Sequence, residues 1–81
     1  MEGMEFIAKA AAYFGAAFCM GIGALGPALG EGFVAAKACE GIARSPENAA
    51  LLTRTMLLGQ AVTESTGIYS LVIALLLIFS T

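Results

Sequence analysis

Two long stretches without charge set the strongest limit on what this chain of 81 residues can fold into. Residues 10–30 carry no charged side chain, and residues 55–81 carry only Glu64. A hydrocarbon core about 30 Å thick needs about 20 apolar helical residues, so each stretch is long enough to cross a membrane once. Because the rest of the chain only flanks and joins these two stretches, we predict an all-α membrane protein in which residues 1–81 form a single hairpin of two transmembrane helices.

The composition excludes several kinds of function. The chain contains no His and no Asp, so it has no His-based metal site and no catalytic pair of base and nucleophile. A net charge of −2 with only four basic residues argues against a nucleic-acid surface, which needs clustered Lys and Arg. No loop suited to cradling phosphate is present. We therefore expect no catalytic activity in this chain alone, no organic cofactor and no nucleic-acid partner.

Polar residues and a proline fix the predicted helix boundaries. Helix 1 is expected over about residues 5–43, a polar loop over about 44–47, and helix 2 over about 47–79. Ser45 precedes Pro46 and is therefore disfavoured in a helix, whereas proline suits the first turn of a new helix.

Charge also predicts the orientation in the membrane. Glu2 and Glu5 stand where a signal peptide has basic residues, so helix 1 is expected to be a retained span. Lys37, Arg44 and Arg54 flank the loop, and the positive-inside rule then places the loop in the cytoplasm and both termini on the opposite side.

Helix 1 is unusual in the smallness of its residues. Alanine, glycine and cysteine recur at spacings of three or four, which places them on one face. Glycine costs a helix about 1 kcal/mol relative to alanine, and in lipid the compensating gain is close approach between helices. Small residues cover most of the circumference, which favours a ring of many copies over a lone hairpin. The helix-packing positions singled out are Gly23, Gly26 and Gly30.

Two carboxylates are predicted to lie at one depth in the membrane. Glu64 stands near the centre of an apolar run, and antiparallel folding about the loop brings Glu31 to a similar height. An intramembrane carboxylate costs about 2.5–3.5 kcal/mol on insertion scales and marks a functional site by default. Snorkelling to an interface is an alternative that suits Glu31 better than the deeper Glu64.

A polar face accompanies Glu64 on helix 2. Val62, Ser65, Thr66 and Tyr69 follow at helical spacing, and three of them carry hydroxyls. This face points away from the direction of Glu64, so one chain cannot easily aim both at one point, but two adjacent copies can. We therefore expect Glu64 and Glu31 of one chain to meet this face of the next. The alternative is that each hydroxyl bonds the carbonyl four residues earlier in its own helix.

The donor atoms of this site indicate what it binds. Carboxylate, hydroxyl and carbonyl oxygens suit a hard cation, and the low charge favours a monovalent one, Na⁺, with H⁺ as competitor. A proton needs fewer oxygens than the site offers. One of the two carboxyl groups is expected to keep a proton, because like charges share the site, and the pair should titrate as a unit.

The whole pattern resembles the c subunit of F-type ATP synthases, in particular its sodium-translocating branch. The resemblance rests on three segments: the glycine-dense helix 1 ending in Gly30-Glu31-Gly32, the loop Ala43-Arg44-Ser45-Pro46-Glu47, and the run from Gly59 to Leu75 through Glu64. It implies a cylindrical homo-oligomeric ring of c subunits in the bacterial inner membrane, surrounded by lipid, that rotates against the stator a subunit. It also implies that the loop, through Arg44 and Pro46, contacts the central-stalk subunits.

The resemblance assigns a role to each residue of the site. Glu64 is the ion-binding carboxylate, Val62 contributes its backbone carbonyl and Ser65 its hydroxyl. Thr66 holds a coordinating water, and Tyr69 donates a hydrogen bond to Glu64. The metal ligands expected here are Glu31, Val62, Glu64 and Ser65.

Two departures and two alternatives remain open. Glu31 replaces a glutamine of the better-known sodium rings, and Thr63 replaces a residue that is usually alanine. The first alternative is a proton-coupled ring in which Glu31 is the hydrogen-bond partner of protonated Glu64. The second is a small non-rotary membrane protein, such as an assembly factor or a multidrug exporter with a buried glutamate.

Overall fold

A computed structural model describes residues 2–80 as an antiparallel helical hairpin about 66 Å long. Helix α1 spans Glu2–Gly23 and helix α2 spans Leu25–Arg44. A single 3-10 turn, Pro46–Asn48, leads into helix α3, which spans Ala49–Phe79. The rod formed by α1 and α2 packs along α3.

Helices α1 and α2 together occupy the place of the predicted helix 1. The sequence predicts one uninterrupted helix there, and the structure shows a break of one residue at Ala24. The cause lies at Pro27, which has no N–H to donate to the carbonyl four residues earlier, at Gly23. The break is slight, because Ala24 keeps helical dihedral angles (φ −82°, ψ −16°) and its carbonyl still accepts a hydrogen bond from the Ala28 N–H at 3.0 Å.

The turn between α2 and α3 is short. Ser45 has φ −137° and ψ 73°, outside the helical region, as expected for a residue that precedes proline. Its N–H donates to the Gly41 carbonyl at 2.9 Å, and its own carbonyl accepts from the Asn48 N–H at 2.9 Å. These two bonds close the end of α2 and open the next helix without a longer loop.

Glycines of α1 and α2 set the register against α3. A Cβ built on Gly41 would lie 3.0 Å from Leu52, one on Gly30 would lie 2.9 Å from Thr63, and one on Gly23 would lie 2.9 Å from Ser70 Cβ. The contacts at Gly41 and Gly30 are eleven residues apart, as are their partners Leu52 and Thr63 on α3. From Gly30 to Gly23 and from Thr63 to Ser70 the separation is seven residues in both helices. The register is therefore constant over the length of the contact.

The hairpin has almost no core of its own. The buried residues among those described are all small: Ala12, Ala16, Pro27, Ala38, Gly67 and Ala74. Phenylalanine, leucine, isoleucine and valine side chains lie mostly exposed along both faces. Two helical segments, Glu2–Arg44 and Pro46–Phe79, are long and apolar enough to cross a membrane, and an 18-residue stretch within each has a mean hydropathy of 1.5 and 1.9, respectively. A surface of this kind suits lipid and neighbouring helices rather than water.

Candidate functional site

The register of the hairpin brings Glu31 and Glu64 together. Glu31 lies on α2 next to Gly30, and Glu64 lies on α3 next to Thr63, the residue that packs against Gly30. Their carboxyl groups are close enough to interact directly, by a side-chain hydrogen bond when one of them is protonated and by Coulombic repulsion when both are charged. A single chain therefore holds two acidic groups at one depth, about midway along the exposed apolar surface.

One oxygen of this pair lacks a partner. Glu31 Oε1 is buried, and with both carboxyl groups ionised no donor group among residues 2–80 bonds to it. A buried polar atom without a partner is unfavourable, and native structures usually satisfy such atoms. The oxygen is thus suited to accept a proton donor or a cation.

The side chain of Glu64 folds toward a small space on its own helix. A Cβ built on Gly67 would lie 3.3 Å from Glu64 Oε1 and 3.6 Å from its Cδ. The same point is 3.6 Å from Pro27 Cβ on α2. The Glu64 carboxyl group therefore lies over a glycine, on the side of α3 that faces Pro27.

The four other predicted site residues lie on the exposed surface of α3. Val62 is 74% exposed and Tyr69 is 70% exposed, and Ser65 and Thr66 are exposed as well. The Ser65 hydroxyl donates to the Ala61 carbonyl of its own helix at 3.2 Å, which is the alternative the sequence left open. A hydroxyl that donates its hydrogen still has oxygen lone pairs with which to bind a cation.

Two polar side chains of α3 fix the helices beside the carboxylates. Gln60 Nε2 donates across the hairpin to the Glu31 carbonyl at 3.1 Å. The Thr63 hydroxyl donates to the Gly59 carbonyl at 3.0 Å, and its methyl group faces Gly30. Thr63, whose role the sequence left unassigned, therefore packs against α2, and its hydroxyl is bound within its own helix.

Two residues of this site, Gln60 and Gly67, were not predicted from the sequence. Gln60 holds the backbone at Glu31, and Gly67 makes room for Glu64. The signal for Gly67 was its position three residues after Glu64 on a helix, which places both on one face. The hydrogen bond of Gln60 could not be predicted, because the position of a glutamine on one helix does not show which carbonyl of the other helix it will contact.

The predicted packing glycines divide between two directions. Gly23 and Gly30 contact α3, whereas a Cβ on Gly26 would meet nothing within 4 Å in this hairpin. Gly21 and Gly32 behave like Gly26. Three of the five glycines in this glycine-dense segment therefore point away from the chain's own second helix. At the tip of the hairpin, Arg44 and Pro46 are both exposed.

The described residues of one hairpin do not form a complete metal site. Within residues 2–80, no three side chains of His, Cys, Asp or Glu come together in a way that could hold a metal ion. The two carboxylates offer oxygen ligands, and the remaining oxygens of a full coordination shell would have to come from elsewhere.

Comparison with known proteins identifies the family to which the chain belongs. Residues 14–77 match the family model of the ATP synthase C subunit. The chain is 59% identical over 70 residues to the second ATP synthase c subunit of Cereibacter sphaeroides, covering 86% of this chain and 84% of that protein. It is 54% identical over 80 residues to the ATP synthase c subunit of Alkaliphilus oremlandii (99% and 89% covered) and 52% identical over 77 residues to that of Petrotoga mobilis (95% and 77% covered).

These matches cover the glycine-dense helix, the turn and the run through Glu64, which are the segments that form the hairpin and its carboxylate pair. The resemblance seen in the sequence is confirmed at the level of the family, and the prediction that the chain is not itself an enzyme is confirmed as well. A two-helix hairpin with outward-facing glycines is the building unit of a membrane ring. The chain belongs to the family of ATP synthase c subunits, as a noncatalytic rotor component in the membrane part of the complex.

Proposed function

We propose that this rotor component transports Na⁺, in competition with H⁺, at a site built around Glu64. The single observation that carries the proposal is the unpartnered, buried Oε1 of Glu31 next to the Glu64 carboxyl group. A site for a proton alone needs one acceptor and one donor, and these two carboxyl groups would satisfy each other. The Ser65 hydroxyl and the Val62 carbonyl, both on exposed residues, offer further oxygens, and a site with several oxygens favours a cation over a proton.

The neighbouring subunit supplies the remaining ligands in this proposal. Val62, Ser65, Thr66 and Tyr69 are exposed on one hairpin, as residues reserved for contact with the next copy would be. The Val62 carbonyl and the Ser65 hydroxyl bind Na⁺ together with Glu64 and Glu31. Thr66 holds a water, and Tyr69 donates a hydrogen bond to Glu64. Gly26 packs against adjacent copies.

Neutralisation is what lets the site travel through lipid. A bare carboxylate at mid-membrane costs about 2.5–3.5 kcal/mol on insertion scales, so Glu64 crosses the lipid-facing arc only with Na⁺ or a proton bound. One ion moved through 100 mV supplies about 2.3 kcal/mol, and several ions must pass through one rotor for each ATP formed. A ring of identical subunits, each with one site, meets that requirement.

The surroundings of the ring follow from the same proposal. In a bacterial inner membrane the loop faces the cytoplasm, and the exposed Arg44 and Pro46 contact the central stalk. The termini lie on the opposite side. The stator a subunit exchanges the ion at Glu64, and lipid covers the leucine-rich and isoleucine-rich surface of α3.

A second candidate is supported by the same carboxyl pair. In a proton-coupled ring, a hydrogen bond between Glu31 and a protonated Glu64 would hold the cargo proton, and Na⁺ would have no place. The two candidates predict opposite responses of Glu64 to Na⁺.

Carbodiimide labelling of the intact ring tests the choice, because the reagent modifies protonated carboxyl groups. Labelling of Glu64 is followed at fixed, mildly alkaline pH with increasing NaCl, and KCl at equal ionic strength is the control. Protection by Na⁺ and not by K⁺ is expected. Equal labelling in both salts would reject sodium and leave the proton-coupled ring.

A pair of serine variants tests the ligand set. Ser65 and Ser70 both donate to the carbonyl four residues earlier, at 3.2 Å and 3.4 Å, so replacing either removes the same kind of bond within the helix. Ser65→Ala is expected to raise the half-protecting Na⁺ concentration by roughly tenfold or more, as loss of a ligand does. Ser70→Ala should leave it near the wild-type value. Equal behaviour of the two variants would remove Ser65 from the site.

A further inference from the structure

We propose that Gly67 is a positioning residue of the Glu64 site and helps to determine its preference for Na⁺ over H⁺. The absence of a side chain at Gly67 is what allows the Glu64 carboxyl group to lie over α3 on the side that faces Pro27. This inference rests on the proposed function of Glu64 as the ion carrier.

The backbone at Gly67 does not itself require glycine. Gly67 lies in the interior of α3, and none of the glycines in residues 2–80 has a positive φ. Any residue can adopt that conformation, and alanine would favour the helix by about 1 kcal/mol. A requirement for glycine at this position must therefore come from the space around it.

That space is bounded by the ion-binding carboxyl group. A methyl group at position 67 would lie 3.3 Å from Glu64 Oε1, closer than an ordinary contact, and 3.6 Å from Pro27 Cβ. Gly67 and Pro27 are both buried, whereas Glu64 is exposed, so the carboxyl group is the part that can move. A methyl group would displace it by a few tenths of an ångström, away from Gly67 and toward the exposed surface.

A displacement of this size affects a cation more than a proton. Distances between a metal ion and its oxygen ligands are held within about 0.2 Å, whereas hydrogen-bond lengths vary over about 0.5 Å. If one carboxylate oxygen moves while the oxygens of the adjacent copy stay in place, Na⁺ coordination is weakened more than a hydrogen bond would be. Gly67 therefore contributes to selectivity through Glu64, without touching the ion.

The test compares Gly67→Ala with Gly59→Ala in purified, intact rings. Gly59 lies on the same helix and also faces α2, but its added methyl would be 3.7 Å from Val34, an ordinary contact. We expect Gly67→Ala to raise the Na⁺ concentration that half-protects Glu64 from carbodiimide by roughly tenfold, and Gly67→Val to raise it further. Labelling in Na⁺-free buffer should become faster, because the carboxyl group is more exposed. Gly59→Ala should change neither quantity.

Thermal dissociation of the ring separates positioning from a general packing defect. Gly67→Ala rings should dissociate at the wild-type temperature or above it, since alanine favours the helix. Unchanged half-protection in assembled Gly67→Ala rings would overturn the proposal. If Gly67→Ala prevents assembly, the shorter side chain of Glu64→Asp in the same chain should restore it. Failure of that double variant to assemble would show that Gly67 serves packing alone.

The outcome for Gly67 can be separated from that of the sodium proposal. If wild-type rings show no protection by Na⁺, the sodium proposal fails by itself. The labelling rate of Glu64 in Na⁺-free buffer then tests the positioning role of Gly67. A faster rate in Gly67→Ala than in Gly59→Ala supports this role, and equal rates refute it.

Discussion

The fit between Gly30 and Thr63 provides a quantitative test of how this hairpin is held together. A Cβ added at Gly30 would lie 2.9 Å from Thr63 Cγ2, whereas carbon atoms in ordinary contact are about 3.5–4.0 Å apart. Gly30→Ala therefore requires the two helices to separate locally by more than half an ångström, or Thr63 to change rotamer. The hydroxyl of Thr63 opposes rotation, because it donates to the Gly59 carbonyl at 3.0 Å.

The expected magnitude follows from three effects. Overpacking of this kind costs about 1–3 kcal/mol, and alanine in place of glycine returns about 1 kcal/mol of helix propensity. Breaking the Thr63 hydrogen bond instead would cost about 0.5–1.5 kcal/mol. We expect a net loss of about 1 kcal/mol per subunit, repeated in every subunit of the ring, and hence a clearly lower dissociation temperature.

Thr63→Ser is the matched rescue, because it removes only the methyl group that clashes and keeps the hydroxyl. The assay is thermal dissociation of detergent-solubilised rings into single subunits, followed on gels, for the two single variants and the double variant. Gly15→Ala is the control on the other end of the rod, since its added methyl would be 3.6 Å from Leu77 Cδ1. The reasoning is refuted if the double variant is no more stable than Gly30→Ala, or if Gly15→Ala lowers stability equally.

Four further predictions concern the ion site, the helix contact beside it and the loop at the tip of the hairpin. Glu64→Gln should abolish carbodiimide labelling and ion-driven rotation while rings still assemble, which mass measurement of the purified assembly checks. In Glu31→Gln rings, Na⁺ should still protect Glu64 from carbodiimide, because the amide of glutamine is a neutral hydrogen-bonding group like a protonated carboxyl group. Complete loss of this protection would show that site function needs a charged Glu31. Gln60→Leu should lower ring stability by about 0.5–1.5 kcal/mol per subunit, measured by thermal dissociation, and Thr55→Ala, which removes a bond within one helix, should not. Arg44→Ala should reduce ATP-driven Na⁺ transport in vesicles and leave the half-protecting Na⁺ concentration unchanged.

The hairpin could be predicted from the sequence because a lipid bilayer restricts which backbone structures can span it. Only a helix satisfies its own backbone in a bilayer, so charge-free runs and one Ser-Pro step determine the architecture. The similar height of Glu31 and Glu64 follows from their similar distances along the chain from the Ser-Pro turn. The break at Ala24 was not predicted, because the effect of Pro27 depends on how its neighbours satisfy the backbone around it.

The details of the site were less accessible to sequence reasoning, for a physical reason. Register between two helices is set by which side chains face which glycines, and that choice is made by packing over the whole contact. Once Thr63 faces Gly30, the positions of Gln60 against Glu31 and of Glu64 over Gly67 follow. Periodicity alone placed these residues on faces of α3 but did not say what each face would meet.

The scarcity of interior residues has a consequence for how the rotor is built in the cell. With only six small residues buried among those described, an isolated hairpin gains little from folding onto itself. Its stability is therefore governed by mass action with its sister hairpins in the bilayer, and it cannot be assigned to one chain. Replacement of a damaged copy would require the whole ring to open, so a rotor of this kind is expected to be renewed as a unit rather than repaired piece by piece.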